Sequence, residues 1–212
     1  LSFSNNTTIA GGNVFILGPT FDNTANRLVS YAKRAGKDKI VIVHANDIGG
    51  QLGRNAIQQA IAANGATLAG SVDYALSQEA VFAAVPRVKA AMQSTGANAV
   101  FLTANSSTAL PLLAEMLPAE GISNKTSQFI GLTRWDIPAQ TLALPGIQGG
   151  WFALPDPGAI AAFASSYSAA YGERPLDIAE LAFDGIAAVG SLVKSGNKNA
   201  LSAASLTQGA GF

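Results

Sequence analysis

An open α/β fold, doubly wound around a parallel sheet, is the architecture this sequence predicts, and three observations carry the prediction. Short apolar, β-branched runs such as Lys39-Ile-Val-Ile-Val-His44 read as strands buried on both faces. Between such runs, apolar residues recur at helical spacing, as at Leu52, Ala56, Ile57, Ala60 and Ile61. The junctions carry turn and cap chemistry, with Asn46-Asp47 and Gly49-Gly50 before that helix and Asn64-Gly65 after it. Strand, helix and strand in this rhythm imply β-α-β units with right-handed crossovers.

Taken in order, Leu1–Asn6 reads as the tail of a strand opening into a polar loop. Gly11-Gly12 turns the chain into a second apolar run, Asn13–Leu17, closed by Gly18-Pro19. Ala25, Leu28, Val29 and Ala32 mark a helix face after the Thr20–Asp22 cap region, and Gly36 stops it. After the central unit, Thr67–Gly70 begins an extended piece that ends at Val72-Asp73-Tyr74. Ala80–Ser94 is a helix with Val81, Val85, Val88 and Met92 inward; Pro86 inside it implies a late start or a kink. Asn98–Leu102 is the next strand, Ala109–Leu117 a helix, and Gln128–Leu132 a strand. Pro138–Leu144 is a short helix and Gly150–Leu154 a fifth strand, closed by Pro155-Asp156-Pro157. Residues 159–196 then break the rhythm. Ile160, Phe163, Tyr167 and Tyr171 form one helical stripe, and Ile178, Leu181, Ala182, Ile186, Val189 and Val193 another, with no strand between them.

Composition removes several function classes. Thirteen basic and thirteen acidic side chains balance, which leaves no electrostatic footprint for nucleic acid or an anionic membrane. No run of eighteen apolar residues is present to span a bilayer as a helix. Without cysteine there is no thiolate nucleophile or Cys-based metal site, and a single histidine leaves few acid–base options. No cofactor or metal is expected, and no G-x-S-x-G elbow or paired-acid constellation suggests an enzyme. Few charges among many Ala, Gly, Ser and Asn suit a secreted or periplasmic protein. The start at Leu1 and the end at Gln208–Phe212 lead to the expectation of a piece of a longer protein, with any targeting segment upstream.

Ligands of open parallel sheets sit beyond the carboxyl ends of the strands, near a topological switch point. Three strand-end turns converge there: Asn46-Asp47, Asn105-Ser106-Ser107 and Thr133-Arg134-Trp135-Asp136. Neutral hydrogen-bonding side chains with one Arg and one Trp are the make-up of a small-molecule pocket. The same residues are also ordinary turn formers and helix caps. Arg134 could fork onto a carboxylate or phosphate, or pair with Asp136 while Trp135 covers a lobe face. His44 ends an apolar strand and reads as a hydrogen-bonded structural histidine. Gly49-Gly50-Gln-Leu-Gly53 lacks the spacing of a nucleotide loop, and Arg54 is no substitute for a phosphate-loop Lys-Ser/Thr.

The succession Leu1-Ser-Phe-Ser-Asn, Asn13-Val-Phe-Ile-Leu-Gly-Pro19 and Lys39–His44 resembles the middle of a type I periplasmic binding protein of the Leu/Ile/Val-binding kind. Ala62-Ala-Asn-Gly65, Ala97-Asn-Ala-Val-Phe-Leu102 and Leu181-Ala-Phe-Asp-Gly-Ile186 extend the resemblance over nearly the whole chain. Within that superfamily, Phe129–Asp136 and Gln148–Pro155 look most like LppC-type lipoproteins, the penicillin-binding-protein activators.

The resemblance implies two lobes joined by crossing strands around a cleft. Residues 1–18 would end the first lobe, 19–154 would form most of the second, and 155–212 would cross back as helices on the first. Pro155–Pro157 and Leu17–Pro19 would be neighbouring crossings. Ligand-binding residues implied by it are Ser2, Ser4, Asn5 and Asn6 in one lobe and Asn46, Asp47, Asn105, Ser106, Thr133, Arg134 and Trp135 in the other. In amino-acid-binding members a tyrosine follows the central strand and an acid near Thr133 holds the ligand ammonium. Here Ile48-Gly49 and Arg134 stand instead, which argues against an α-amino acid and toward an anionic or carbonyl-rich ligand. Two functions follow. One is a non-enzymatic lipoprotein module, held at the membrane only by an upstream lipid anchor, that activates a peptidoglycan synthase by contact or by ligand sensing. The other is a solute receptor for an ABC transporter taking a small amino-acid-like or amide ligand.

Overall fold

The computed structural model describes residues 1–105, 107 and 109–207, and the chain divides into two compact units. Phe21–Leu154 forms one; Leu1–Thr20 together with the chain from Pro155 onward forms the other.

The 21–154 unit is a five-stranded, wholly parallel sheet. Its elements are α1 (Phe21–Arg34), β1 (Lys39–Ala45), α2 (Ile48–Ala63), β2 (Thr67–Tyr74), α3 (Gln78–Thr95), β3 (Ala99–Leu102), α4 (Leu110–Ala119), β4 (Gln128–Gly131) and β5 (Trp151–Phe152). The strand order is β2-β1-β3-β4-β5, so β1 lies in the interior, as its unbroken apolar run requires. Alternate residues of each strand supply opposite faces. Ile40, Ile42, Ala99, Phe101 and Ile130 pack under α1 and α2, whereas Val41, Val43, Val100, Leu102 and Phe129 pack under α3 and α4. Two cores therefore sandwich one sheet, and His44 is the one buried polar residue of β1 and β3.

Local chemistry sets the helix ends. Asp47 and Ser77 cap α2 and α3 by accepting from Gly50 N–H and Ala80 N–H, at 2.7 and 3.2 Å. Gly96 closes α3 with φ +65°, a conformation that costs glycine little. Pro86 neither delays α3 nor ends it: the helix starts at Gln78, and Pro86 and Phe82, whose carbonyl loses its partner, lie on the solvent side. The expected short helix at 138–144 is instead two 3₁₀ turns, Ala139–Ala143 and Pro145–Ile147. The fifth strand shrinks to two residues, paired at Ile130–Trp151 and Gly131–Phe152.

The other unit contains α5 (Pro157–Tyr171), α6 (Ala179–Lys194) and the short α7 (Ala203–Leu206), which the sequence pattern did not announce. Asp156 caps α5 by accepting from Gly158 N–H at 2.8 Å, and Gly172 ends it with φ +75°. The two apolar runs at its start form no strand among the described residues. They meet in one parallel bridge, Ser2–Ile16, with Ser2 N–H donating to Phe15 O and Leu17 N–H to Ser2 O at 2.7 and 2.8 Å. Beyond Ser2 the backbone bonds side chains instead: Ser4 N–H to Ser2 Oγ and Asn6 N–H to Ser4 Oγ, which diverts it from a ladder. Residues 208–212 lie outside the described residues.

Candidate functional site

The chain leaves β1 toward β2 in one direction and returns through α3 to β3 on the other side of β1. That reversal puts the switch point between the carboxyl ends of β1 and β3, where backbone loops diverge and a ligand can enter.

At the end of β1, Asp47 is committed to the cap of α2, and Asn46 holds the turn through its backbone. Asn46 N–H donates to Tyr74 O at 2.9 Å and its carbonyl accepts from Gln51 Nε2 at 3.0 Å, with the Asn46 side chain exposed. A Cβ on Gly50 would lie 2.1 Å from Ala45 O, and one on Gly53 2.6 Å from Leu132 Cδ2 and 3.1 Å from Thr103 Cγ2. The glycines after β1 thus form the seam by which α2 reaches the strand ends. They are packing glycines. Thr103 Oγ1, at the floor beside this seam, is buried with no hydrogen-bond partner among the described residues.

At the end of β3, Asn105 Oδ1 accepts from Ser107 N–H and Ser107 Oγ at 3.1 and 3.0 Å, an Asx turn. Ser106, the neighbouring candidate, lies outside the described residues. At the end of β4, Thr133 Oγ1 donates to Ala104 O at 3.2 Å and ties the two turns together.

Arg134 takes one of its two sequence readings, the pair with Asp136, whereas Trp135 departs from the pocket it was expected to line. Arg134 forks onto Asp136, with Nε to Oδ1 at 3.0 Å and Nη2 to Oδ2 at 2.6 Å. That hydrogen bond holds the Asp136 carboxyl below the ordinary carboxylate range. The internal pair removes the exposed cation on which an anionic ligand was expected to land. Trp135 is no pocket wall: it is 1% exposed, in the core beside Phe152. Gly131 and Gly150 make the slot, since a Cβ on either would come within 2.5 Å of the indole. The motif thereby places an aromatic residue inward where a pattern of strand-end turns suggested outward.

Two residues escaped sequence reasoning. Tyr74, the last residue of β2, is 2% exposed and lines a cavity of about 260 Å³. Burial first, and the nearby Asp47 carboxylate second, push its phenol up to about 12, so it stays a donor at neutral pH. Period-two burial of Val72 and Tyr74 was the available signal. Thr103 was the other, a hydroxyl directly after a fully buried strand. His44 is buried, with Nδ1 2.9 Å from Ala45 O.

In the second unit, Ser2, Ser4 and Asn6 are half-buried and spend their side chains locally, Asn6 Oδ1 accepting from Thr8 N–H and Thr8 Oγ1 at 3.0 and 2.8 Å. Asn5 is exposed. The structure thus gathers Asn46, Asp47, Asn105, Thr133 and Arg134 on one sheet edge, while Ser2–Asn6 belong to the other unit. Among the described residues no group of three or more His, Asp or Glu side chains could hold a metal ion, and no helix is long and apolar enough to cross a membrane.

The unit is thus an open α/β sheet of this order with short polar side chains around its switch point. The family model for periplasmic binding proteins matches residues 2–210, and the chain belongs to that family. Solved structures agree on the fold. A branched-chain amino acid ABC transporter periplasmic ligand-binding protein from Burkholderia xenovorans superposes with a TM-score of 0.68 at 18% identity, over 87% of this chain and 50% of that one. An extracellular ligand-binding receptor from Verminephrobacter eiseniae gives 0.66 at 18% identity, over 94% and 58%. An ABC transporter substrate-binding protein from Desulfitobacterium hafniense, solved in complex with Leu, gives 0.61 at 18% identity, over 91% and 54%. The chain spans about half the length of these structures. No curated protein matches it.

Proposed function

We propose that this chain is part of a periplasmic solute receptor serving an ABC transporter, binding a small molecule without transforming it. The observation that carries the reading is the family match over residues 2–210 on a sheet whose switch-point turns present Asn46, Asn105 and Thr133. Those side chains are hydrogen-bonding and neutral, and the one Arg–Asp pair among them is internally balanced. An amino-acid-like or amide ligand, recognised by hydrogen bonds more than by net charge, suits them. The α-amino-acid pattern departs here in two respects: Ile48-Gly49 stands where a tyrosine would, and the only acid in the Thr133 turn, Asp136, is held by Arg134.

The peptidoglycan-synthase alternative rests on the likeness of Phe129–Asp136 and Gln148–Pro155 to LppC-type lipoproteins. Those segments contain Gly131, Trp135 and Gly150, which meet in one packing slot. Packing of the indole is sufficient reason for that sequence pattern, which favours the transporter reading. Thermal-shift screening with leucine, other amino acids and their amides tests it. A ligand at one hundred times its Kd stabilises by about 2.7 kcal/mol, and a saturable shift is expected for one class. Silence from the whole panel, with a shift on adding a bifunctional penicillin-binding protein, would reverse the choice.

A further inference from the structure

The cavity at the end of β2 lies outside the turns discussed above. Its walls are Leu76, Val81, Ala109 and Leu112, with Ser77 and Gln78 at the rim and Tyr74 among its lining residues. At about 260 Å³ it has room for about eight waters at their bulk volume, or a compact organic molecule of comparable size. Three features mark it as more than a packing defect. Tyr74 is 2% exposed and lines the cavity, and its hydroxyl makes no hydrogen bond among the described residues, which leaves a donor for an occupant to meet. Leu76 is 61% exposed on the cavity's wall, apolar area that an occupant would cover. The first turn of α3 and the start of α4 at Ala109 both border it, and Ala109 offers no side-chain cap.

We propose that this cavity is a second small-molecule site, taking a neutral carbonyl compound with a compact aliphatic body, its oxygen accepting from the Tyr74 hydroxyl. A donor phenol and the start of α4, which no side chain caps, favour an acceptor head. Asp47 stands close enough to act on the Tyr74 phenol, and its charge opposes an anion. Apolar walls, with Ser77 at the rim already spent on capping α3, favour neither a zwitterion nor a sugar. The site is independent of the transporter reading, since none of its lining residues is among Asn46, Asn105 and Thr133, the side chains on which that reading rests.

The test is a titration of the 212-residue protein with cyclohexanone, followed by amide chemical shifts, with cyclohexanecarboxylate as the anionic counterpart. Saturable shifts are expected at Leu76–Gln78, Val81, Ala109, Leu110 and Leu112, and none at matching concentration of the carboxylate. Leu112→Trp, which fills the cavity from its half-buried side, should abolish them. Tyr74→Phe should keep the fold, as its unchanged amide spectrum away from the cavity would show, and weaken binding roughly three- to tenfold. Shifts confined to Asn46, Asn105 and Thr133, equal binding of the carboxylate, or an undiminished affinity in Tyr74→Phe would each overturn the proposal. Leucine is titrated in parallel: a response to leucine at the switch-point turns bears on the transporter reading and leaves this one untouched.

Discussion

In the sheet unit, α1 and α4 each bury four residues, α3 five and α2 six; in the other unit α5 buries none and α6 only Gly185 and Leu192. Phe183, Ile186 and Leu176 stand 57, 68 and 78% exposed. Yet α5 and α6 are as long and regular as α1 and α2. The contrast separates two things that periodicity usually reports together. Spacing, caps and a terminal glycine are enough to specify where a helix runs, whereas burial of its stripe needs a partner surface. Stability should therefore be distributed unevenly along the chain, and each experiment below probes that unevenness.

The largest effect is expected at Trp135. Replacing it by Ala empties the slot between Gly131 and Gly150 and should cost about 3–5 kcal/mol. Phe183→Ala, at an exposed aromatic of α6 whose ring lies 5.2 Å from Phe163, should cost under about 1 kcal/mol. Urea unfolding read through hydrogen exchange in each unit makes the comparison, and similar losses at both positions would end it. Trp135→Phe should fall between them, because it leaves part of the slot empty but removes an indole N–H that has no partner among the described residues.

A smaller contrast comes from two helical glycines. Gly50→Ala drives a methyl toward Ala45 O, a backbone atom that cannot step aside, and should destabilise by about 1–3 kcal/mol. At Gly190 of α6 nothing lies within 4 Å of an added Cβ, so Gly190→Ala should stabilise by roughly 0.5–1 kcal/mol through helix propensity. A loss at Gly190 would mean that α6 has a covered face there after all. In the unmodified protein the amides of β1 and β3 should be the slowest to exchange and those of α5 and α6 much faster.

The fold of the sheet unit was legible because both faces of β1 and β3 are covered, which leaves continuous apolar runs that no other element imitates. Legibility failed where local chemistry outweighed pattern. Asn13–Leu17 has strand composition, but Ser2, Ser4 and Asn6 draw the opposing backbone into side-chain turns. Pro86 looked disruptive only because sequence cannot tell which side of α3 faces water. At the site, the turns after β1, β3 and β4 could be placed by topology alone, while the direction of a side chain within a turn could not. Trp135 points inward because of two glycines, one four residues before it and the other fifteen after. Tyr74 went unnoticed since nothing in a strand's last residue reveals that a cavity lies beside it.

The smallest expected effect sharpens the reading of Arg134. Its pair with Asp136 is partly shielded, with side chains 29 and 21% exposed, and Asp136 titrates below its ordinary value of 3.8. A carboxyl depressed in the folded state favours folding at neutral pH. That contribution is complete above the unfolded value and is lost as pH falls through the lower folded one, in the window below about 4. Discounted for solvent screening it amounts to about 0.5–1 kcal/mol. Asp136→Asn should therefore lower stability at pH 7 by that amount and flatten the acid limb of the profile. Some slope should survive, because Lys33 and Arg87 also depress Asp38 and Asp73 at the surface. If Asp136→Asn leaves stability unchanged but alters the affinity for a ligand found in the amide and amino-acid panel, the pair belongs to recognition and not to the turn. An unchanged affinity with the expected loss of stability would assign Arg134 to holding the Thr133–Asp136 turn in place.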